Sequence, residues 1–118
     1  SADNFADTKD IDELMSKLKE RYIDKGQAVI IGEYGTRNRT FNTEPRAACA
    51  KYYVSKATEA GIPCIWWDNN AFIGSGENFG LFNRTSFEWR FPEIVSAIME
   101  GCDASGSTSE ASAESSAE

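Results

Sequence analysis

The chain has 118 residues, which is room for one domain at most, and its 41% hydrophobic content is typical of a soluble globular protein. Its net charge of −7 and its lack of a basic stripe argue against nucleic-acid binding, and its apolar runs are too short to cross a membrane. Its three cysteines lie far apart and it has no histidine, so we expect no metal site and no cofactor. The opening SADNFAD has neither Met nor the apolar stretch of a signal peptide, so we expect an internal or processed start.

Helices and strands alternate along the sequence. Apolar residues at helical spacing predict the first helix, and two continuous apolar runs predict strands covered on both faces of a parallel sheet. Pro45 and Pro92 each suit the first turn of a helix, and Gly26, Gly61 and Gly101 each suit a helix end. The predicted elements are a helix over residues 10–25, a strand over 27–33, a helix over 45–60, a strand over 63–68 and a helix over 92–100, with loops over 34–44 and 69–91.

This alternation is typical of an α/β protein with a parallel sheet. Two strands cannot bury both faces of their own sheet, so they need neighbours that the chain does not supply. We therefore interpret residues 1–101 as part of a larger α/β body, with a (β/α)₈ TIM barrel as the leading candidate. Residues 102–118 contain only small or acidic residues, apart from Cys102, and are predicted to be a disordered Ser/Ala/Glu-rich linker or tail.

The side chains suited to chemistry follow the two predicted strands. Glu33 ends the first strand, and Trp66, Trp67 and Asp68 end the second. Parallel neighbours lie about 4.8 Å apart, so both ends would share one rim of the sheet. A carboxylate beside an indole suits a sugar ring, because the indole stacks on the C–H face while the acid attends the anomeric carbon. The alternative is a structural Glu33 held by an arginine, with tryptophan filling the barrel.

Simple alternation along the strands predicts which side chains share a face. It groups Glu33 with Val29 and Ile31, and Trp67 with Ile65. We expect both groups to point into the barrel mouth, which would place the carboxylate beside the indole.

Three segments of the chain, residues 10–27, 29–39 and 61–101, together resemble glycoside hydrolase family 5, the endo-β-1,4-glucanase (cellulase) family. VIIGEYGTRNR, residues 29–39, is similar to the family's seventh-strand segment, and residues 61–101 are similar to its eighth strand, the loop after it and the final helix. DIDELMSKLKERYIDKGQ, residues 10–27, resembles the preceding sixth helix. The resemblance implies that the chain is the C-terminal segment of the barrel, from the sixth helix to the eighth.

The same resemblance implies roles for individual residues. Glu33 matches the catalytic nucleophile, and Trp67 matches the tryptophan beside the sugar ring being cleaved, with Trp66 as the alternate if the register slips by one. The remaining matches, as rim contacts to substrate, are Asp68, Asn69 and Asn78. In TEPR, residues 43–46, Glu44 resembles the family's acid/base motif, but Thr replaces its Asn and no strand precedes it. Glu44 is better interpreted as a residue favoured at a helix N-terminus.

The implied function is hydrolysis of a β-glucan polysaccharide such as cellulose or xyloglucan. The acid/base carboxylate belongs to the absent first part of the barrel, so the chain needs that N-terminal segment as a partner and is expected to be inactive alone. The Ser-rich tail resembles linkers of secreted cellulases, which implies an extracellular protein. The other hypothesis is a non-catalytic fragment that binds carbohydrate weakly through Trp66 and Trp67.

Overall fold

The computed structural model describes residues 8–103. Its helices are α1 (Thr8–Arg21), α2 (Thr43–Glu59) and α3, which begins at residue 92 and is described as far as residue 103; a short 3₁₀ helix (Ile23–Lys25) follows α1. Its strands are β1 (Ile31–Tyr34), β2 (Cys64–Trp66), β3 (Phe82–Asn83) and β4 (Glu88–Trp89). Of the predicted tail, residues 102 and 103 continue α3, and the rest lies outside the described residues.

The predicted alternation and the parallel pairing of the two strands are confirmed. β1 and β2 are hydrogen-bonded neighbours in a parallel pair, although both are shorter than the sequence predicts. β3 and β4 form an antiparallel hairpin within the predicted loop over 69–91. The hairpin was missed because two-residue strands carry too little alternation to be recognised.

Two of the three predicted helix-ending glycines are confirmed. Gly26 and Gly61 adopt left-handed conformations, with φ of 82° and 77°, which a residue without a Cβ adopts at little cost. The prediction for Gly101 is wrong, because α3 continues through it. A Cβ at Gly101 would lie 2.9 Å from Cβ of Val54 and 3.0 Å from the Lys51 carbonyl oxygen. The absence of a Cβ at Gly101 therefore allows α3 to approach α2 closely at this point.

The helices cover one face of the two-stranded sheet. One buried cluster joins α1 to α2 through Ile11, Met15 and Ala57, and Ile31 and Cys64 of the strands pack against it. A second cluster joins α2 to α3 and the start of the hairpin, and its buried members are Ala50, Leu81 and Ile94. No described helix is long and apolar enough to span a membrane.

Candidate active site

Glu33 lies in an irregular stretch of β1. The pairing register shifts between Ile31 and Tyr34, so Gly32 and Glu33 together lie opposite Ile65 of β2. Ile31 and Tyr34 both pack toward the helices, whereas Glu33 is exposed. The prediction that Glu33 shares a face with Ile31 is therefore wrong, because the bulge interrupts the alternation of side chains.

The sheet face away from the helices carries apolar side chains and is open. Ile30 is 65% exposed, Ile65 is 56% exposed and Trp67 is 43% exposed. Trp67 is anchored through its backbone, because its N–H donates to the Tyr34 carbonyl at 2.8 Å, and its indole is left available. The exposed Glu33 and the exposed Trp67 thus stand at the carboxyl ends of two paired strands.

The Glu33 carboxylate has no hydrogen bond and no ion pair within residues 8–103. No arginine in this part of the chain holds it, so the structure gives no support to the alternative of a structural Glu33. A cavity of about 420 Å³ lies next to Glu33 on the helix side of the sheet, and its walls come from β1, β2, α2 and the loops that follow the two strands. Glu33 is the one carboxylate among the lining residues, which are Glu33, Tyr34, Gly35, Thr36, Arg37, Cys49, Ala50, Tyr53, Trp66 and Phe79.

Trp66 points the opposite way from Trp67. Its Nε1–H donates to the Phe79 carbonyl at 2.8 Å, and its ring meets Tyr34 edge-on with centroids 5.4 Å apart. It also packs against the α2–α3 cluster. Trp66 therefore joins strand, loop and helices, and its indole N–H already has a partner within the chain.

The three predicted rim residues use their side chains to hold the loop that follows β2. Asp68 Oδ2 accepts the N–H groups of Leu81 and Phe82, at 3.1 and 2.9 Å. Asn69 Oδ1 accepts the N–H groups of Ala71 and Phe79, both at 3.2 Å, and its Nδ2 donates to the Glu77 carbonyl at 2.6 Å. Asn78 is only 3% exposed and donates to the Gly74 carbonyl at 2.7 Å. Contact between these side chains and substrate stays a prediction.

Two loops follow β1 and β2, and they are bonded to each other. Asn38 donates through its backbone N–H to the Asn78 carbonyl at 2.7 Å and through Nδ2 to the Phe72 carbonyl at 2.6 Å. Arg37 Nη2 donates to the Ser75 carbonyl at 2.7 Å. These hydrogen bonds therefore fix the loop after β1 and the loop after β2 relative to each other.

Arg46 is fully buried in α2, which was not predicted from the sequence. Arginine is rarely buried, so a prediction from residue type places it outside. Its position in the sequence gave one signal of burial. Arg46 lies four residues before Ala50, which in turn lies four residues before Val54, so the three residues fall on one buried stripe of the helix.

A layer of phenol and thiol groups lies beneath the strand ends. Burial raises the pKa of Tyr34, and the neighbouring Cys64 thiol adds to this effect. Burial also raises the pKa of the Cys64 thiol from its ordinary 9.0 to about 11 and raises the pKa of Cys49. These groups are neutral near pH 7, so the layer acts as packing rather than as a source of nucleophiles. Within residues 8–103 no cluster of acidic and cysteine side chains is suited to a metal ion.

Comparisons with known proteins show which family the chain resembles in sequence. The family described as "Cellulase (glycosyl hydrolase family 5)" matches residues 1–73. Endoglucanase 1 of Ruminococcus albus is 52% identical over 85 residues, which are 72% of this chain and 21% of that protein. The chain thus spans about a fifth of the length of this curated relative.

Solved structures agree in fold as well as in sequence. A family 5 lichenase from Caldicellulosiruptor sp. F32 is 50% identical with a TM-score of 0.78, and the match covers 80% of this chain and 25% of the lichenase chain. A mutant of this lichenase was also solved in complex with cellotetraose. A broad-specificity endoglucanase from Clostridium cellulovorans is 39% identical with a TM-score of 0.79, over 84% of this chain and 30% of its own. The chain therefore belongs to glycosyl hydrolase family 5, the cellulase family.

Proposed function

We propose that the chain is the C-terminal segment of a retaining endo-β-1,4-glucanase, from the sixth helix to the eighth of a (β/α)₈ barrel. Family 5 enzymes are barrels of this kind, and the order helix, strand, helix, strand, helix with a parallel strand pair is that of a barrel segment. The chain accounts for 25% of the lichenase it matches, which is the share expected of such a segment. In this proposal the barrel part reaches at least residue 103, to which α3 is described, and the predicted linker follows it.

One observation carries the functional proposal. Glu33 and Trp67 are both exposed at the carboxyl ends of two paired parallel strands, on the face that the helices leave open. Active sites of α/β barrels lie at that end of the strands. In the complete barrel this face is the interior, so carboxylate and indole both reach the bound sugar.

In the proposed mechanism Glu33 is the nucleophile. Its carboxylate oxygen attacks the anomeric carbon, the glycosidic bond breaks, and a covalent glycosyl-enzyme forms that water then hydrolyses with retention of configuration. A second carboxylate about 5 Å away must protonate the leaving oxygen. The absent N-terminal barrel segment supplies this acid, because Glu44 lies in the first turn of α2 and does not line the Glu33 cavity.

The proposed substrate is a β-glucan chain such as cellulose or xyloglucan. The relatives are named as endoglucanases and a lichenase, and the mutant lichenase was solved with cellotetraose. Trp67 offers its exposed ring for stacking on the sugar, whereas Trp66, Asp68, Asn69 and Asn78 shape the loop around it. Action on a polymer of this size fits a secreted enzyme.

A second proposal is that the chain is a non-catalytic fragment that binds carbohydrate through its tryptophans. It is favoured because Asp68, the other carboxylate at the strand ends, is held by the N–H groups of Leu81 and Phe82, and Glu33 alone cannot both attack and protonate. The two proposals differ in what happens when the missing barrel segment is present.

Glu33→Gln in the full-length protein tests the catalytic proposal. The substitution keeps the shape of the side chain but removes the attacking charge, so turnover should fall about 10³-fold or more while glucan binding survives. Glu44→Gln is the matched control and should leave turnover unchanged. A mechanism-based fluoro-sugar should label Glu33, as read by peptide mass spectrometry. Near-normal turnover by Glu33→Gln, or labelling at another residue, would rule out the role.

A further inference from the structure

Arg46 is a buried cation that has no carboxylate partner within residues 8–103. Its side chain is 0% exposed, and its three hydrogen bonds all go to neutral oxygens. Nε donates to Thr36 Oγ1 at 3.3 Å, Nη2 donates to the Thr36 carbonyl at 3.1 Å, and Nη1 donates to Asn38 Oδ1 at 3.4 Å. All three bonds reach the loop that begins just after Glu33.

Aromatic rings flank the guanidinium group. Its carbon lies 4.7 Å from the centroid of Phe91 and 6.0 Å from that of Trp66. Such contacts offset part of the cost of removing the charge from water. Burial lowers the pKa of Arg46 to about 10, so the group is still a cation at neutral pH.

Arg46 thus contacts the segments on either side of the site. Thr36 lies three residues after Glu33, and Trp66 directly precedes Trp67. Asn38, the third partner, bonds in turn to the loop that follows β2. A planar group with donors in a fixed fork specifies the relative position of such segments more narrowly than a flexible ammonium does.

We infer that Arg46 is a positioning residue, which fixes the Glu33 carboxylate and the Trp67 indole relative to each other for the reaction. The inference rests on the proposed function, because it assumes that Glu33 attacks the sugar ring held on Trp67. Arg46 touches neither the substrate nor the reacting atoms. Its contribution comes through the backbone of the two loops that follow the strands.

Two substitutions separate positioning from general stability. In the full-length protein Arg46→Met keeps most of the side-chain volume and removes every donor, whereas Arg46→Lys keeps the charge and removes the fork. Val54→Ala is the matched control, because Val54 is buried in the same helix and lies against Gly101 of α3. Thermal melting gives the stability of each variant, and turnover is measured at a temperature at which all are folded.

A misplaced nucleophile lowers turnover more than binding. We expect Arg46→Met to lower kcat about 100-fold, because displacements near 1 Å cost that much, while KM changes by less than about threefold. Arg46→Lys should recover part of the loss. Val54→Ala should lower the melting temperature and leave kcat within about twofold of wild type. Labelling of Glu33 by the fluoro-sugar should slow in Arg46→Met in step with kcat.

The results distinguish this inference from the proposed function. If Glu33→Gln is inactive but Arg46→Met keeps the kcat of Val54→Ala, the inference about Arg46 is overturned and the proposed function stands. If Glu33→Gln retains turnover, the proposed function fails and the inference fails with it. A rise in KM without a fall in kcat for Arg46→Met would also overturn the inference that Arg46 positions the nucleophile.

Discussion

Tyr34 of β1 stacks face to face on Tyr53 of α2, with ring centroids 4.8 Å apart and planes within 5°. This contact holds the end of β1 against the helix layer. The residue before Tyr34 is Glu33, and the bulge leaves it on the exposed side of the strand. The stack therefore helps to set the direction of the proposed nucleophile.

Loss of this stack should loosen the end of the strand. In the full-length protein we expect Tyr34→Ala to lower the free energy of unfolding by about 3 kcal/mol, because it removes a large half-buried ring. Turnover should fall as well, since the Glu33 backbone loses its support. Urea unfolding and glucan hydrolysis measure the two effects. Tyr34→Phe keeps the ring and is the control; a loss as large as that of Tyr34→Ala would show that the hydroxyl matters more than the stack.

The two adjacent tryptophans should respond differently to truncation. Trp67 is 43% exposed and its indole has no hydrogen-bond partner within residues 8–103, so Trp67→Ala should cost about 1 kcal/mol of stability while it weakens both binding and turnover of cello-oligosaccharides. Trp66 packs into the core and bonds to Phe79, so Trp66→Ala should destabilise the protein by about 3 kcal/mol. Chemical denaturation and calorimetric titration measure these effects. A loss of binding in Trp66→Ala together with a loss of stability in Trp67→Ala would mean that Trp66 is the stacking residue.

The Cys64 thiol should make stability depend on pH in the alkaline range. Its pKa is about 11 in the folded chain against an ordinary 9.0, because burial disfavours the thiolate. Below pH 9 both states are protonated and the contribution to stability is complete. As pH rises from 9 through 11, the unfolded state loses the proton first, so the contribution is progressively lost.

The comparison with Cys64→Ala isolates this effect from other alkaline titrations. The difference in free energy of unfolding between wild type and Cys64→Ala should shrink from pH 9 to pH 11, as measured by urea titration in the full-length protein. A difference that stays constant across this range would show that the Cys64 thiol is not held in its neutral form.

Local signals were sufficient for the order of the three helices and the two parallel strands. Apolar runs, Pro45, Gly26 and Gly61 each act within a few residues, and the structure follows them. The bulge at Glu33 was not predictable in this way, because it depends on how β1 pairs with a strand some thirty residues later. The close approach at Gly101 depends likewise on α2 and α3 meeting in three dimensions.

The burial of Arg46 also could not be predicted from local sequence. An arginine on a helix is expected to be solvated, and only the tertiary contacts with Thr36, Asn38 and two aromatic rings make its burial acceptable. None of these partners is close enough in sequence to suggest the pairing. Strand-end position and the family resemblance singled out Glu33 and Trp67 as candidates, whereas the residues that position them could be found only from the fold.

The isolated chain should associate with itself. The open sheet face exposes Ile30 and Ile65, and each of the two strands has an unpaired edge within residues 8–103. In the complete barrel, neighbouring strands cover these groups. In the isolated chain those strands are missing, so the open face of a second copy is the apolar surface available for pairing. Sedimentation should therefore show concentration-dependent oligomers. The double substitution Ile30→Lys and Ile65→Lys should shift the chain toward monomer, whereas Ile73→Lys, at an exposed loop position, should not. A monomeric chain that melts cooperatively would mean that the sheet is satisfied without further strands.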